Sequence, residues 1–292
     1  MLKSRIFSEH NYKGIHFNGK TMRIALDPLK PIKELSYPEF YDVKVTSYCK
    51  GNCPYCYQDS KETSNHVPDA IEKFKEYFGK LSENQKPFQI AFGGGEPTEY
   101  PLFMSLMEEC YNLGITPNYT TNGMWTRHPT HIKEDILTAT KLYCGGVAVS
   151  VHNHLRRYWK QATELYLEND IFTNLHVIIS NKHTIDNFMA IYKQYHGRVK
   201  YFILLPLAAQ GRSKDNNIDW EYMIKELPKH CPDIAFGANF YPYLCKTPGR
   251  FPVSLYEPEL MSKYLDLETM NIYPSSFSNK IVELKGIKWK IK

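Results

Sequence analysis

No stretch of this chain approaches the roughly 20 apolar residues that a membrane-crossing helix needs. Residues 1–14 hold no apolar run of signal-peptide length either. An excess of one charge is also missing: 36 Lys and Arg stand against 31 Asp and Glu, a net +5. So mild a bias gives no ground for a nucleic-acid or membrane-surface role. There is no low-complexity segment and no exact repeat. Cysteine is too sparse and uneven for a disulfide framework, with seven residues, three of them between Cys49 and Cys56. In a reducing compartment such a cluster points to a metal site. The expectation is a soluble, cytoplasmic protein. What the chain does have is core-building material, 42% hydrophobic and 14% aromatic residues with 22 tyrosines. That suffices for one large domain with a small appendage, or for two modest domains.

Residues 14–17 and 21–26 alternate around Asn18-Gly19, the pattern of a β-hairpin. A proline-bearing connector follows (Pro28, Pro31, Pro38). From residue 41 strands alternate with helices. Strands are expected at 41–47, 88–92, 116–121, 147–152, 175–180 and 201–206. Helices are expected at 68–81, 102–113, 132–142, 155–167 and 185–195; in the first, Ile71, Phe74, Phe78 and Leu81 share a face. Six βα units imply parallel strands with outer helices and a site at the strands' C-terminal ends. After Arg212 a helix at 220–227, strand-like pieces at 234–244 and a hairpin at 263–273 follow. The reading is therefore α/β: an N-terminal β-hairpin extension (1–36), a partial six-unit barrel (37–214) and a small C-terminal α/β cap (215–292).

Cys49, Cys53 and Cys56 have the spacing C-x3-C-x2-C, directly after the first strand of the series. Three thiolates can hold three irons of a cubane and leave the fourth open to a small chelator. A structural zinc site wants four closed ligands, and a plain electron-carrier cluster wants four cysteines; either would need a distant fourth residue. The second strand ends Gly93-Gly94-Gly95-Glu96-Pro97. Three glycines let backbone approach a ligand, Glu96 offers an anionic acceptor and Pro97 fixes the turn. Phosphate binding is a poor reading, because no Gly-Lys-Ser/Thr is present and the carboxylate would repel it. A plain tight turn is the alternative.

Together the two motifs resemble those of the radical S-adenosylmethionine (SAM) superfamily, over residues 41–212. C-x3-C-x-aromatic-C matches at Cys49, Cys53, Tyr55 and Cys56, and GGEP at Gly94, Gly95, Glu96 and Pro97. The resemblance implies a partial (β/α)6 TIM-like barrel. It also implies one 4Fe–4S cluster on the three cysteines and SAM chelating the open iron, with its amino group at the GGEP strand end and its adenine near the backbone of Tyr55. The implied reaction is reductive cleavage of SAM to a 5′-deoxyadenosyl radical that abstracts hydrogen from a substrate. Further positions match more loosely: Thr121 and Asn122 at the third strand end, and Ser150 on the fourth strand. His152 stands where the family often has an acid. Arg156 or Arg157 is a candidate for the SAM carboxylate, and Leu204, Leu205 and Pro206 for the barrel mouth.

Cys110 lies on an apolar helix face and reads as core; Cys144 and Cys231 form no pair. Cys245 is a candidate hydrogen donor. Residues 263–277 resemble the hairpin of SPASM and Twitch extensions of peptide-modifying relatives, with Ser275 and Ser276 where an auxiliary-cluster cysteine would stand. The resemblance thus favours a peptide or protein side chain as substrate, with flavodoxin or ferredoxin as electron donor. A small-molecule or nucleoside substrate is the alternative, and an iron–sulfur or metal-binding module without turnover is the non-enzyme rival. The tail carries Lys285, Lys288, Lys290 and Lys292, read as a lysine-protected edge strand, a strand-addition site or, third, a nucleic-acid groove.

Overall fold

A computed structural model describes residues 2–17, 19–213, 218–227, 233–244 and 258–282. Cys231, Cys245, Asn18 and the lysine tail fall outside the described residues. The N-terminal hairpin pairs Tyr12–Phe17 (β2) with Lys20–Ala25 (β3), but a third strand, Lys3–Phe7 (β1), joins it antiparallel to β2. Five residues rich in Lys, Ser and Arg give no strand signal by themselves. They become one because β2 offers a free edge and buried Arg5 lays its guanidinium over the Phe88 ring at 4.8 Å.

The central sheet has nine strands. Six alternate with helices as expected: Phe40–Thr46 (β4), Gln89–Gly94 (β5), Thr116–Thr121 (β6), Gly146–Val151 (β7), Thr173–Ile179 (β8) and Tyr201–Pro206 (β9). The helices are Ala70–Phe78 (α1), Phe103–Asn112 (α2), Thr130–Tyr143 (α3), Arg156–Glu168 (α4), Lys182–Tyr195 (α5) and, after β9, Trp220–Glu226 (α6). All neighbours from β4 to β9 pair in parallel. Two pieces from beyond residue 214 extend this sheet at opposite ends. Ile234–Phe236 (β10) pairs parallel with β9, and Ser262–Asp266 (β11) pairs parallel with β4. Asn271–Tyr273 (β12) then completes the expected hairpin with β11. No pairing among the described residues joins β10 to β12, so the barrel is open.

The strand-like stretch at 234–244 is strand only as far as Phe236. At Gly237 the chain turns: its amide bonds the Leu204 carbonyl, and its own carbonyl accepts from Phe240. Residues beyond it form short helical turns, including Tyr241–Leu244 (α7).

Burial follows the alternation. On β4, Tyr41, Val43 and Val45 face the outer helices, where Tyr41 meets Tyr77 and Phe78 of α1 edge-on. Ala70, Phe74, Tyr77 and Phe78 form the buried face of α1. The opposite residues, Asp42 and Lys44, lie on the inner face of the sheet. Among the described residues no helix is long and apolar enough to cross a membrane.

Candidate active site

The inner face and the strand ends enclose a cavity of about 350 Å³. Cys49, Cys53, Tyr55, Cys56, Gly94, Gly95, Glu96, Thr121, Asn122 and Ser150 all line it. Pro97 does not: it is buried as the first residue of a short 3-10 turn, Pro97–Glu99. His152 also lines the cavity, with Nδ1 3.1 Å from the Tyr55 hydroxyl. Leu205 and Pro206 line it too, whereas Leu204 faces the core. Arg156 and Arg157 are exposed at the start of α4 and are not among the lining residues.

The three glycines have different jobs. A Cβ on Gly94, whose φ is +107°, would lie 2.3 Å from the Thr46 carbonyl oxygen, and one on Gly95 2.0 Å from that of Tyr48. These two let the strand end press against the chain that leads into the cysteine loop, where the Gly95 amide bonds Thr46 O at 2.6 Å and the Glu96 amide bonds Tyr48 O at 2.9 Å. A Cβ on Gly93 would meet nothing within 4 Å. That glycine keeps the cavity wall open.

Glu96 is a strut as well as an anion. Its carboxylate accepts from the Thr98 amide (3.3 Å) and hydroxyl (2.6 Å), the Thr121 hydroxyl (2.7 Å) and the Asn122 amide (2.7 Å). Burial raises its pKa against the opposing pull of these donors. Asn122 continues the link, since its side-chain amide donates to Cys49 Sγ at 3.5 Å. The Gly51 amide donates to the same sulfur at 3.3 Å.

Burial pushes the Cys49 and Cys53 thiols up to about 12, with neighbouring negative charge adding to the shift. Arg212 opposes it at both. Its Nε donates to the Cys53 carbonyl at 2.8 Å, Nη1 donates to the Ser60 carbonyl at 2.9 Å, and its own amide donates to the Cys56 carbonyl at 3.0 Å. Gly211 (φ +64°) permits this clasp, because a Cβ there would sit 2.3 Å from the Cys56 carbonyl oxygen. In the sequence Arg212 marks only the end of the barrel. The signal available was a Gly-Arg pair just past the last strand.

This donor set fits an iron–sulfur cluster. Two N–H groups aimed at one sulfur suit a thiolate, and metal binding is what deprotonates thiols held protonated by burial. Among the described residues no three His, Cys, Asp or Glu side chains converge as around a single metal ion. A cubane does not ask for that, because each thiolate meets its own iron. Cys110 and Cys144 lie apart in the core, bonded to the Ile115 carbonyl and the Met107 sulfur.

Two further residues line the cavity, Asp42 and His176, and nothing in the sequence singles them out. Burial alone shifts both, Asp42 up to about 7 and His176 down to about 4. Asp42 binds its proton more tightly folded than unfolded. Its contribution to stability is therefore fully present below about pH 4 and lost as pH rises to about 7. Asp42→Asn is expected to melt like the wild type near pH 4 and roughly 2–4 °C higher at pH 8, an effect of about 1 kcal/mol once discounted for a side chain open to the cavity. Melting both proteins across that range checks the sign.

Comparison with known proteins adds to this geometry. No curated protein matches the chain in sequence. Among solved structures, Streptococcus suis SuiB bound to S-adenosylmethionine superposes with a TM-score of 0.63 at 14% identity, over 82% of this chain and 61% of that one. SuiB bound to precursor peptide SuiA gives 0.60 at 16%, over 82% and 60%. Native anSMEcpe with bound AdoMet and Cp18Cys peptide gives 0.54 at 16%, over 83% and 75%. At such identities the likeness is one of fold, and the chain spans about three fifths of the SuiB length. A sequence model described as the Radical SAM superfamily matches residues 43–207, more than half of the chain. Because that match runs from within β4 to just past β9 and takes in the cysteine loop and the glycine strand end, the chain belongs to the radical SAM superfamily.

Proposed function

We propose that this chain is a radical SAM enzyme that modifies a peptide or protein side chain, with one 4Fe–4S cluster on Cys49, Cys53 and Cys56. Membership of the superfamily implies an enzyme that uses SAM, an iron–sulfur cluster and an electron donor; flavodoxin or ferredoxin is the proposed donor. The observation that carries the reading is the meeting of the three thiols and the GGEP strand end on one cavity wall, linked through Glu96, Asn122 and Cys49.

Held on Cys49, Cys53 and Cys56, the cluster would supply the one-electron reduction that divides SAM into methionine and a 5′-deoxyadenosyl group able to abstract hydrogen. The chain's own residues do the rest. Gly51 and Asn122 donate to the Cys49 sulfur, which tunes its basicity. Arg212 holds the cysteine loop. In this reading the GGEP strand end takes the SAM amino group, Thr121 and Glu96 keep the β5 and β6 ends in register, Ser150 offers a hydroxyl and Tyr55 backs the adenine. Ile178, Leu205 and Pro206 keep water from the wall opposite.

A peptide substrate is supported by the structures of similar fold that hold peptides. It is also supported by the C-terminal hairpin, where Ser276 and Phe277 line the cavity and the Tyr57 hydroxyl donates to Ser276 Oγ at 3.3 Å. We read that hairpin as a SPASM-like end without its auxiliary cluster. Anaerobically reconstituted protein is expected to hold about four irons per chain and, with dithionite and SAM, to form 5′-deoxyadenosine. About eight irons would overturn the clusterless reading of the hairpin. A four-iron preparation that forms no 5′-deoxyadenosine would overturn the reaction.

A further inference from the structure

The row Ala91–Asp42–Tyr264 runs across three strands in register, with Asp42 of β4 at its centre. All three line the cavity. Ala91 leaves space on one side of the carboxylate, and Tyr264 walls the other. Among the described residues no hydrogen bond or ion pair engages the Asp42 side chain; the lysine two residues on, Lys44, is held by Asp266 at 3.1 Å and Glu268 at 2.8 Å. Burial raises the Tyr57 and Tyr264 phenols, and both lie close enough for the Asp42 charge to add to the shift. Phe277 packs against Tyr57 with centroids 4.6 Å apart and the rings tilted by 32°, and Gln58 donates to the Tyr57 hydroxyl at 2.9 Å.

The Asp42 side chain is open to the cavity and has no partner of its own, so a cation that enters meets an unpaired carboxylate. Elsewhere on the wall His152 and His176 are held neutral by burial, and Glu96 is already satisfied. We propose that Asp42, with Tyr57, Tyr264 and Phe277, is the subsite that takes a cationic group of the substrate, an ammonium or a guanidinium. Aromatic faces beside a carboxylate favour such a cation over a neutral group of the same shape. The inference rests on the proposed function, because it names the chemistry of the substrate for the same cavity.

The test uses the reconstituted chain with SAM. Ligand-observed NMR measures binding of N-acetyl-lysine methylamide, N-acetyl-arginine methylamide and the uncharged N-acetyl-norleucine methylamide. The two cationic probes are expected to bind at least about tenfold tighter than the norleucine probe. That preference should vanish in Asp42→Asn and, in the wild type, should strengthen between pH 6 and 8 as the carboxylate ionises. Equal binding of charged and uncharged probes, a preference that survives in Asp42→Asn, or one that ignores pH would overturn the proposal. The wild-type pH series decides the matter even if the variant does not fold. SAM cleavage, measured on the same preparation without probes, separates the two readings. Cleavage without cation preference overturns the subsite alone, and cation preference without cleavage overturns the reaction alone.

Discussion

Cys53→Ala is expected to lose its iron and to lower 5′-deoxyadenosine formation by more than about a hundredfold, beyond the ten- to hundredfold typical of losing an outer partner of a metal ligand. Cys53 is buried beside Met124 and Leu155, so the substitution removes one sulfur from a small apolar cluster and leaves the main core intact. The metal-free variant should therefore melt within a few degrees of the metal-free wild type, which keeps the result from being one of misfolding. Cys110→Ala is the control. That thiol is fully buried in the core and bonded to the Ile115 carbonyl, so its loss costs stability and not iron. Iron per chain and chromatographic 5′-deoxyadenosine, measured on all three proteins, check both expectations. A Cys53→Ala protein that keeps iron and cleavage would remove the three-cysteine assignment.

The second large effect separates neighbouring glycines. Gly95→Ala places its Cβ 2.0 Å from the Tyr48 carbonyl oxygen and 2.7 Å from the carbonyl carbon, and backbone cannot swing aside as a flexible side chain would. The strand end must back away. That strains the bonds from the Gly95 and Glu96 amides and pulls on the loop carrying Cys49. Overpacking and weakened hydrogen bonds together should cost roughly 3 kcal/mol, on the order of 5–10 °C in Tm. Gly93→Ala, two positions away, meets nothing within 4 Å. It should fold with an unchanged Tm and weaken SAM binding through the methyl that enters the cavity. Melting curves and SAM titration of the two variants test the division: equal melting losses would mean that the glycines act as one flexible turn.

These effects share one cause. The strand end, the β6 end and the cysteine loop are tied together through a single carboxylate, so an error at Gly95 reaches Glu96, Asn122 and the Cys49 sulfur. The Arg212 clasp closes the loop from the opposite side, using two carbonyls and a chain return that only Gly211 permits.

Much of this was legible in the residues themselves because the signals are local. The alternation of strands and helices from β4 to β9 follows from periodicity, which a chain carries whatever it later packs against. The cysteine spacing and the run Gly93-Gly94-Gly95 are properties of single loops. What is non-local stayed hidden. β1 is too polar to announce itself, and β11 pairs with β4 more than two hundred residues away in sequence. Asp42 reads as an ordinary inward position of a strand; only its row with Ala91 and Tyr264 makes it a carboxylate that opens into the cavity without a side-chain partner. Arg212 reads only as the end of the barrel until the fold returns it to Cys53.

By itself, then, the sequence determined the class of fold, the order of the βα units and the loops that carry the thiols and glycines, because periodicity and spacing are written along the chain. The tertiary structure alone decided how the glycines divide their work, what braces the cysteine loop and which carboxylate the cavity leaves without a partner. Those depend on which distant backbone and side-chain atoms come within a few ångströms of each other, and folding alone sets that.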